Sequence, residues 1–166
     1  MELTALGNML CEVYSMNGMP LLRLTAQDYL ATERKAQFKS EYFNGEAWAM
    51  AGVSREHSLI VGNVFAHIHG QFRGRRCEVH ASDLRVQVSE TGLYTYPDLV
   101  AVCDEPEFED KELDTLLNPT VVIEVLSEST EAYDRGAKFA HYRQLASLQE
   151  YVLIAQDRCL VERYVR

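Results

Sequence analysis

One short segment constrains this sequence more than any other. Residues 120–126 read Thr-Val-Val-Ile-Glu-Val-Leu, an apolar run on both alternating faces that only Glu124 interrupts. Such a run predicts a strand in the centre of a sheet, covered on both sides. An ionised carboxylate there would cost several kcal/mol of folding free energy unless a cation or hydrogen-bond donors met it. Glu124 is therefore the first candidate for a functional residue.

A second carboxylate stands at the head of the preceding strand. Residues 98–103, Asp-Leu-Val-Ala-Val-Cys, predict a strand that begins directly after Pro97, and proline tends to mark the first position or the edge of a strand. If this strand pairs with 120–126, Asp98 and Glu124 converge and repel each other. A hard divalent ion such as Mg²⁺ or Mn²⁺, with retained waters, is the usual remedy. We expect a metal site with both residues as ligands.

Lys138 lies on a predicted helix that follows the Glu124 strand, so its ammonium group can reach the same edge of the sheet. In phosphodiester cleavage a lysine stabilises the charge of the transition state or orients the attacking water. The alternative for Lys138 is an exposed ion pair with Asp134, four residues earlier on the helix. Asp98 also has a structural alternative, as a turn residue that accepts backbone N–H groups.

Two weaker candidates lie earlier in the chain. Glu41, just before a predicted hairpin, is either an additional acid that reaches the metal through water or a solvated strand-end carboxylate. His57, in the first turns of a predicted helix, either approaches the site or is a packed or exposed histidine without a catalytic role. Asp83 and Arg85, on the polar side of a strand, either form a salt bridge or contact phosphate.

The remaining patterns predict alternating helices and strands. Helix N-caps at Thr25 and Ser54, the Asn44-Gly45 turn and the alternation of polar and apolar residues set most of the boundaries. In order, the patterns predict a helix over 25–36, hairpin strands within 41–50, a helix from 54 to about 70, one strand over 77–88, strands over 98–103 and 120–126, a helix over about 130–145, and strands over 150–154 and 159–165.

This element order predicts an α/β fold with a central mixed sheet flanked by helices. We expect one domain over 21–166, preceded by a poorly ordered extension over 1–20. Four cysteines without any C-x-x-C pair indicate neither a zinc ribbon nor a redox motif, and we expect reduced thiols. The N-terminus lacks a basic region followed by an apolar one, and no apolar run approaches the length of a membrane span. We therefore expect a cytoplasmic protein without a membrane segment.

The charge balance limits the class of partner. The formal net charge is −9, from 25 acidic and 16 basic residues, which weighs against a protein that grips DNA mainly through counterion release. A local basic face remains compatible with this balance. Its candidates are Arg73, Arg75, Arg76, Arg135, Lys138 and Arg143, and the alternative for them is an ordinary solvated surface.

Several motifs carry a family resemblance. In order they are Tyr96-Pro97-Asp98, residues 118–127 around Glu124, and residues 133–143 around Lys138, supported by residues 39–46, Glu56-His57 and residues 82–86. On these motifs, residue 21 to the end resembles the Uma-type family of restriction endonucleases. The resemblance implies a PD-(D/E)xK-type nuclease core with Mg²⁺-dependent phosphodiesterase activity on DNA. It also implies that Asp98 and Glu124 are the metal ligands and that Lys138 is the catalytic lysine.

The sequence departs from the wider superfamily at one position. There the lysine stands two residues after the second acid, where this chain has Leu126, so Lys138 would act from the adjacent helix. We also expect truncation at Arg166, because relatives of this type continue further. The leading hypothesis is a Mg²⁺-dependent DNA endonuclease, with Mn²⁺ as a substitute, working as a homodimer to cut both strands. The alternatives are a non-catalytic domain that binds nucleic acid or assembles with itself, and a hydrolase for small phosphoesters.

Overall fold

The computed structural model describes residues 12–14 and 20–166. These residues divide into two compact units, with the boundary between Met50 and Ala51. The expected extension over 1–20 lies largely outside the described residues, although short strands occur at its described positions. A single domain over 21–166 stays a prediction.

The described residues of the first unit form one helix and two hairpins. Strand β1 (Glu12–Tyr14) pairs antiparallel with β2 (Pro20–Leu22). Helix α1 (Ala26–Glu33) begins after Thr25, whose side chain accepts a hydrogen bond from the Asp28 N–H as the capping pattern predicts.

The second hairpin of this unit joins β3 (Ser40–Phe43) to the antiparallel β4 (Glu46–Ala49). Asn44 and Gly45 form its turn with φ of 51° and 87°. This left-handed backbone is what a tight hairpin requires and what asparagine and glycine tolerate. The Asn-Gly prediction is therefore confirmed.

The second unit contains the remaining helices and strands. Helix α2 (Arg55–Phe72) is capped by the Ser54 side chain. A second helical segment consists of α3 (Glu131–Tyr133), a π-helical turn (Asp134–Lys138) and α4 (Phe139–Tyr142). The strands are β5 (Cys77–Ala81), β6 (Arg85–Val88), β7 (Leu93–Thr95), β8 (Leu99–Cys103), β9 (Thr115–Leu116), β10 (Val121–Leu126), β11 (Glu150–Ala155) and β12 (Val161–Val165).

The main sheet of this unit is mixed, with the strand order β12-β11-β10-β8-β5. Strand β10 pairs parallel with β11 and antiparallel with β8, so it lies in the middle of the sheet as its apolar sequence predicts. Helix α2 packs on β5 and β10. The buried residues of β8 and β10 form much of the core, among them Leu99, Val100, Val102, Val122 and Val125.

The prediction of one strand over 77–88 was wrong. Strand β5 ends at Ala81, and β6 begins at Arg85 in a separate sheet, where it pairs antiparallel with β7 and parallel with β9. The connection is a tight turn in which the Asp83 N–H donates to the Ala81 carbonyl at 2.6 Å. Because this turn contains neither glycine nor proline, the sequence gives little sign of it.

The expectation of reduced thiols was also wrong for two of the four cysteines. Antiparallel pairing places Cys77 of β5 opposite Cys103 of β8, and the two form a disulfide with a Cα–Cα distance of 4.1 Å. Cys159 is exposed and free, and Cys11 lies outside the described residues. Among the helices within residues 20–166, none has the length and hydropathy needed to cross a membrane.

Candidate functional site

Strand pairing brings the two predicted metal ligands together. In the antiparallel pairing of β8 with β10, Ile123 lies opposite Leu99, so Glu124 and Asp98 follow at the next position. The Asp98 backbone N–H donates to Glu124 Oε2 at 3.1 Å. The Val125 N–H in turn donates to Asp98 Oδ2 at 2.7 Å. Each acid is thus fixed by the backbone beside the other, and the predicted convergence is present.

His57 contacts the same pair from helix α2. The Ser54 cap accepts a hydrogen bond from the His57 N–H at 3.0 Å, which fixes the histidine in the first turn. Its ring Nε2 lies 3.1 Å from Asp98 Oδ2 and donates to it, because an ionised carboxylate can only accept. The hydrogen bond to Asp98 raises the pKa of His57 above its ordinary value, against the opposing effect of burial.

Lys138 reaches the site from the π-helical turn. Its Nζ lies 2.9 Å from Glu124 Oε1 and 3.6 Å from Asp134 Oδ1, and 5.9 Å from the centre of the Tyr133 ring. Lys138 and Asp134 are each 4% exposed and Glu124 is 2% exposed. The expected alternative was an exposed ion pair of Lys138 with Asp134. This pair is present, but the expected exposure was wrong, because both side chains are buried and Lys138 also contacts Glu124.

Two tyrosines that the sequence analysis did not single out complete the surroundings. The Tyr142 hydroxyl donates to Glu124 Oε1 at 3.4 Å. The Tyr151 hydroxyl donates to the backbone carbonyl of Asp134 at 2.9 Å. Both side chains are buried. Their spacing in the chain gave no sign of this, since an aromatic residue in a helix or a strand is most often part of the core.

The site holds more acidic than basic side chains. Three carboxylates, Asp98, Glu124 and Asp134, face the ammonium of Lys138 and the titratable ring of His57. Burial raises the pKa of Glu124 to about 8, and the nearby Asp98 and Asp134 add to the rise while Lys138 opposes it. Without a further cation, Glu124 therefore tends to hold a proton at neutral pH. An excess of buried acid of this kind is suited to a divalent ion.

The donor atoms also fit such an ion. Asp98 Oδ2 is occupied by two donors, whereas Oδ1 makes no hydrogen bond within the described part of the chain, and the side chain is 17% exposed. Hard carboxylate oxygens suit Mg²⁺ or Mn²⁺. Residues 20–166 contain no group of three or more His, Cys, Asp and Glu side chains arranged to hold a metal. Water or substrate oxygens would complete the coordination, as is common for Mg²⁺.

The other candidates are placed differently. Glu41 is buried on β3, in the first unit, and its part in the site stays a prediction. Arg85 is buried, where it donates to Thr115 Oγ1 at 3.0 Å and pairs with Asp114 at 3.0 Å. The salt bridge that the structure shows for Arg85 is therefore with Asp114.

Comparison with known proteins identifies the family. The family model "Uma2: Putative restriction endonuclease" matches residues 26–166, which contain the whole cluster around Glu124. The chain belongs to the Uma2 family. The resemblance found in the motifs of the sequence is thereby confirmed.

Similar proteins cover most of the chain. The uncharacterised Synechocystis sp. protein sll1609 is 38% identical over 141 residues, 85% of this chain and 80% of that protein. The uncharacterised slr1290 of the same organism is 37% identical over 145 residues, 87% of this chain and 75% of that protein. A solved structure from Anabaena variabilis, described as "a putative nuclease belonging to DUF820", superposes with a TM-score of 0.60 at 18% identity over 79% of each chain. The predicted mixed α/β, restriction-endonuclease-like fold is confirmed.

Proposed function

We propose that this Uma2 protein is a Mg²⁺-dependent endonuclease that hydrolyses phosphodiester bonds of DNA, with Mn²⁺ as a substitute. The observation that carries the proposal is the buried cluster in which Asp98 and Glu124 converge and Lys138 Nζ lies 2.9 Å from Glu124. The family description and the nuclease name of the solved relative support this class of reaction. We also propose a cytoplasmic location.

Asp98 and Glu124 would hold the divalent ion. When bound, the ion would polarise the scissile phosphate and lower the pKa of the attacking water. Lys138 supplies a positive charge that is buried and already oriented, and it stabilises the charge that develops on the phosphate in the transition state. Because the ammonium is shielded from water, its interaction with that charge is stronger than it would be on the surface.

His57 has a positioning role in this proposal. Its ring and the Val125 N–H both donate to Asp98 Oδ2, which leaves Oδ1 for the ion. Hydrogen-bonded partners of metal ligands typically contribute 10- to 100-fold to metal affinity. We expect His57→Asn to weaken Mn²⁺ binding roughly tenfold. Unchanged Mn²⁺ affinity in a folded His57→Asn variant would assign the histidine to packing alone.

The proposal is tested by nicking of supercoiled plasmid in Mg²⁺, Mn²⁺ or EDTA. We compare the wild type with Glu124→Gln and Lys138→Met, and use Arg135→Gln as a control from the same helical segment. The proposal is supported if nicking requires the ion, falls at least about 100-fold in both site variants and persists in the control. Removal of one transition-state donor typically costs this much activity. Equal nicking in all variants, or none in the wild type, would favour the non-catalytic alternative.

One part of the proposal concerns assembly. A homodimer would present two sites to the two strands of a duplex, and sedimentation of the protein with and without a short duplex measures this directly.

A further inference from the structure

Asp134 is the third carboxylate of the cluster, and none of the roles assigned above uses it. Its side chain is 6% exposed, and its Oδ1 lies 3.6 Å from Lys138 Nζ. Its backbone carbonyl is held by the Tyr151 hydroxyl at 2.9 Å. Burial of a carboxylate costs free energy that a surface position would avoid, so this position calls for an explanation.

The π-helical turn accounts for the placement of Asp134. Asp134 and Lys138 are the first and last residues of the turn, and both point into the interior. Arg135, directly after Asp134, points outward and pairs with Glu131 and Glu162 instead. Turns of this kind interrupt α-helices rarely and often do so at functional sites. The turn therefore presents one acid and one base together to Glu124.

Lys138 has two carboxylates within reach, and they are not equivalent. The ammonium is closer to Glu124, at 2.9 Å, than to Asp134, at 3.6 Å. A divalent ion on Asp98 and Glu124 would repel the ammonium and compete with it for Glu124. A buried ammonium that lost its only carboxylate would be destabilised strongly. Asp134 is the acid that can keep it in place.

We propose that Asp134 is a positioning residue that retains Lys138 in the site when a divalent ion binds Glu124. The ammonium changes its main partner from Glu124 to Asp134, and this exchange lets the ion and the lysine occupy the site together. The inference rests on the proposed function, because it takes Asp98 and Glu124 as the metal ligands. It assigns to Asp134 a role that acts through Lys138 rather than on the ion.

The test is a double-mutant cycle on Mn²⁺ affinity, measured by titration calorimetry. Asp134→Asn and Asp134→Glu are made in the wild type, and Asp134→Asn also in Lys138→Met. We expect Asp134→Asn to weaken Mn²⁺ binding roughly tenfold when Lys138 is present and less than about twofold in Lys138→Met. Asp134→Glu should restore most of the affinity, because it returns a carboxylate. Glu131→Gln, which removes an exposed acid from the same segment, should change nothing.

Three outcomes would overturn the inference. An equal loss of affinity in both backgrounds would show that Asp134 acts on the ion as a simple charge, while leaving the proposed function intact. Absence of Mn²⁺ binding to the wild type would overturn the exchange together with the proposed function. The free energy of unfolding in EDTA, measured for the single and double variants, shows whether the two side chains are coupled. Additive losses in Asp134→Asn and Lys138→Met would show that Asp134 and Lys138 do not interact, which would also overturn the inference.

Discussion

Lys138 and Arg135 lie on the same π-helical turn, and each pairs with two carboxylates, yet their surroundings are opposite. Arg135 contacts Glu131 at 2.8 Å and Glu162 at 2.6 Å with 27% of its side chain exposed. Lys138 contacts Glu124 and Asp134 with 5% of its side chain exposed. Beside Arg135 the pKa of Glu162 is lowered, chiefly by its hydrogen bond to Arg135.

The difference shows that burial, rather than the pattern of ion pairs, determines the pKa values of the acids. In the half-exposed cluster of Arg135, Glu131 and Glu162, water screens the charges, so each pair contributes little. In the buried cluster the pKa of Glu124 rises to about 8 despite the adjacent lysine. A cation placed beside these acids would favour their ionised forms, because a nearby opposite charge stabilises a carboxylate. The predictions below test this contrast.

The largest expected effect is on stability. Lys138→Met leaves two buried carboxyl groups without their cation and should lower the free energy of unfolding by about 3 kcal/mol, near the lower end for broken buried pairs. Arg135→Gln should lower it much less, because water screens the charge of Arg135. Urea unfolding in EDTA measures both. Equal losses would mean that the two clusters do not differ in effective burial.

Removal of the disulfide should lower stability without changing the metal site. Cys77 and Cys103 close a loop with a sequence separation of 26, and a cross-link over such a loop typically contributes about 3 kcal/mol. The Cys77→Ser, Cys103→Ser double variant should lose roughly that stability and become insensitive to reductant. Its Mn²⁺ affinity should not change, because Cys103 and Asp98 flank opposite ends of β8. A parallel loss of affinity would show that the site responds to any destabilisation.

A smaller effect concerns pH. The pKa of Glu124 is raised from 4.5 to about 8 in the folded state. Between these two pH values the folded state therefore keeps a proton that the unfolded chain has released. Stability should therefore fall as pH rises from about 4.5 to about 8 and then level off. The raised pKa of His57 adds a loss of the same sign above 6.5. In EDTA, Glu124→Gln should flatten the profile, and an unaltered slope would contradict the assignment.

The smallest effect is expected at the half-exposed cluster around Arg135. Glu162→Gln removes one acid from Arg135 but leaves Glu131, so the free energy of unfolding should change by less than about 1 kcal/mol. Nicking should stay within twofold of the wild type. A large loss of nicking in this variant would show that the cluster around Arg135 also contributes to the activity.

Much of the fold could be predicted because local signals agreed with the tertiary structure. The caps at Thr25 and Ser54 and the Asn44-Gly45 turn are short-range features that the chain encodes directly. The apolar run around Glu124 could only be a central strand. The division of 77–88 into β5 and β6 was missed because the turn residues Ser82 and Asp83 fit an alternating strand equally well.

The site was predictable where one residue conflicted with its surroundings. Glu124 stood out as an acid in an apolar strand, and Asp98 followed from strand pairing. Asp134 did not stand out, because an acid four residues before a lysine is typical of an exposed helix, and only tertiary packing buries it. The Cys77–Cys103 bond was missed for a related reason, since it depends on the register of β5 against β8.

The central claim is that the buried acids hold a divalent ion, and calorimetric titration with Mn²⁺ tests it most directly. The account predicts one site per chain in the wild type, abolished in Glu124→Gln and Asp98→Asn and unchanged in Glu162→Gln. Binding should also release protons to the buffer, because the ion displaces the proton of Glu124. Equal Mn²⁺ binding in all four proteins, or none in the folded wild type, would contradict the account.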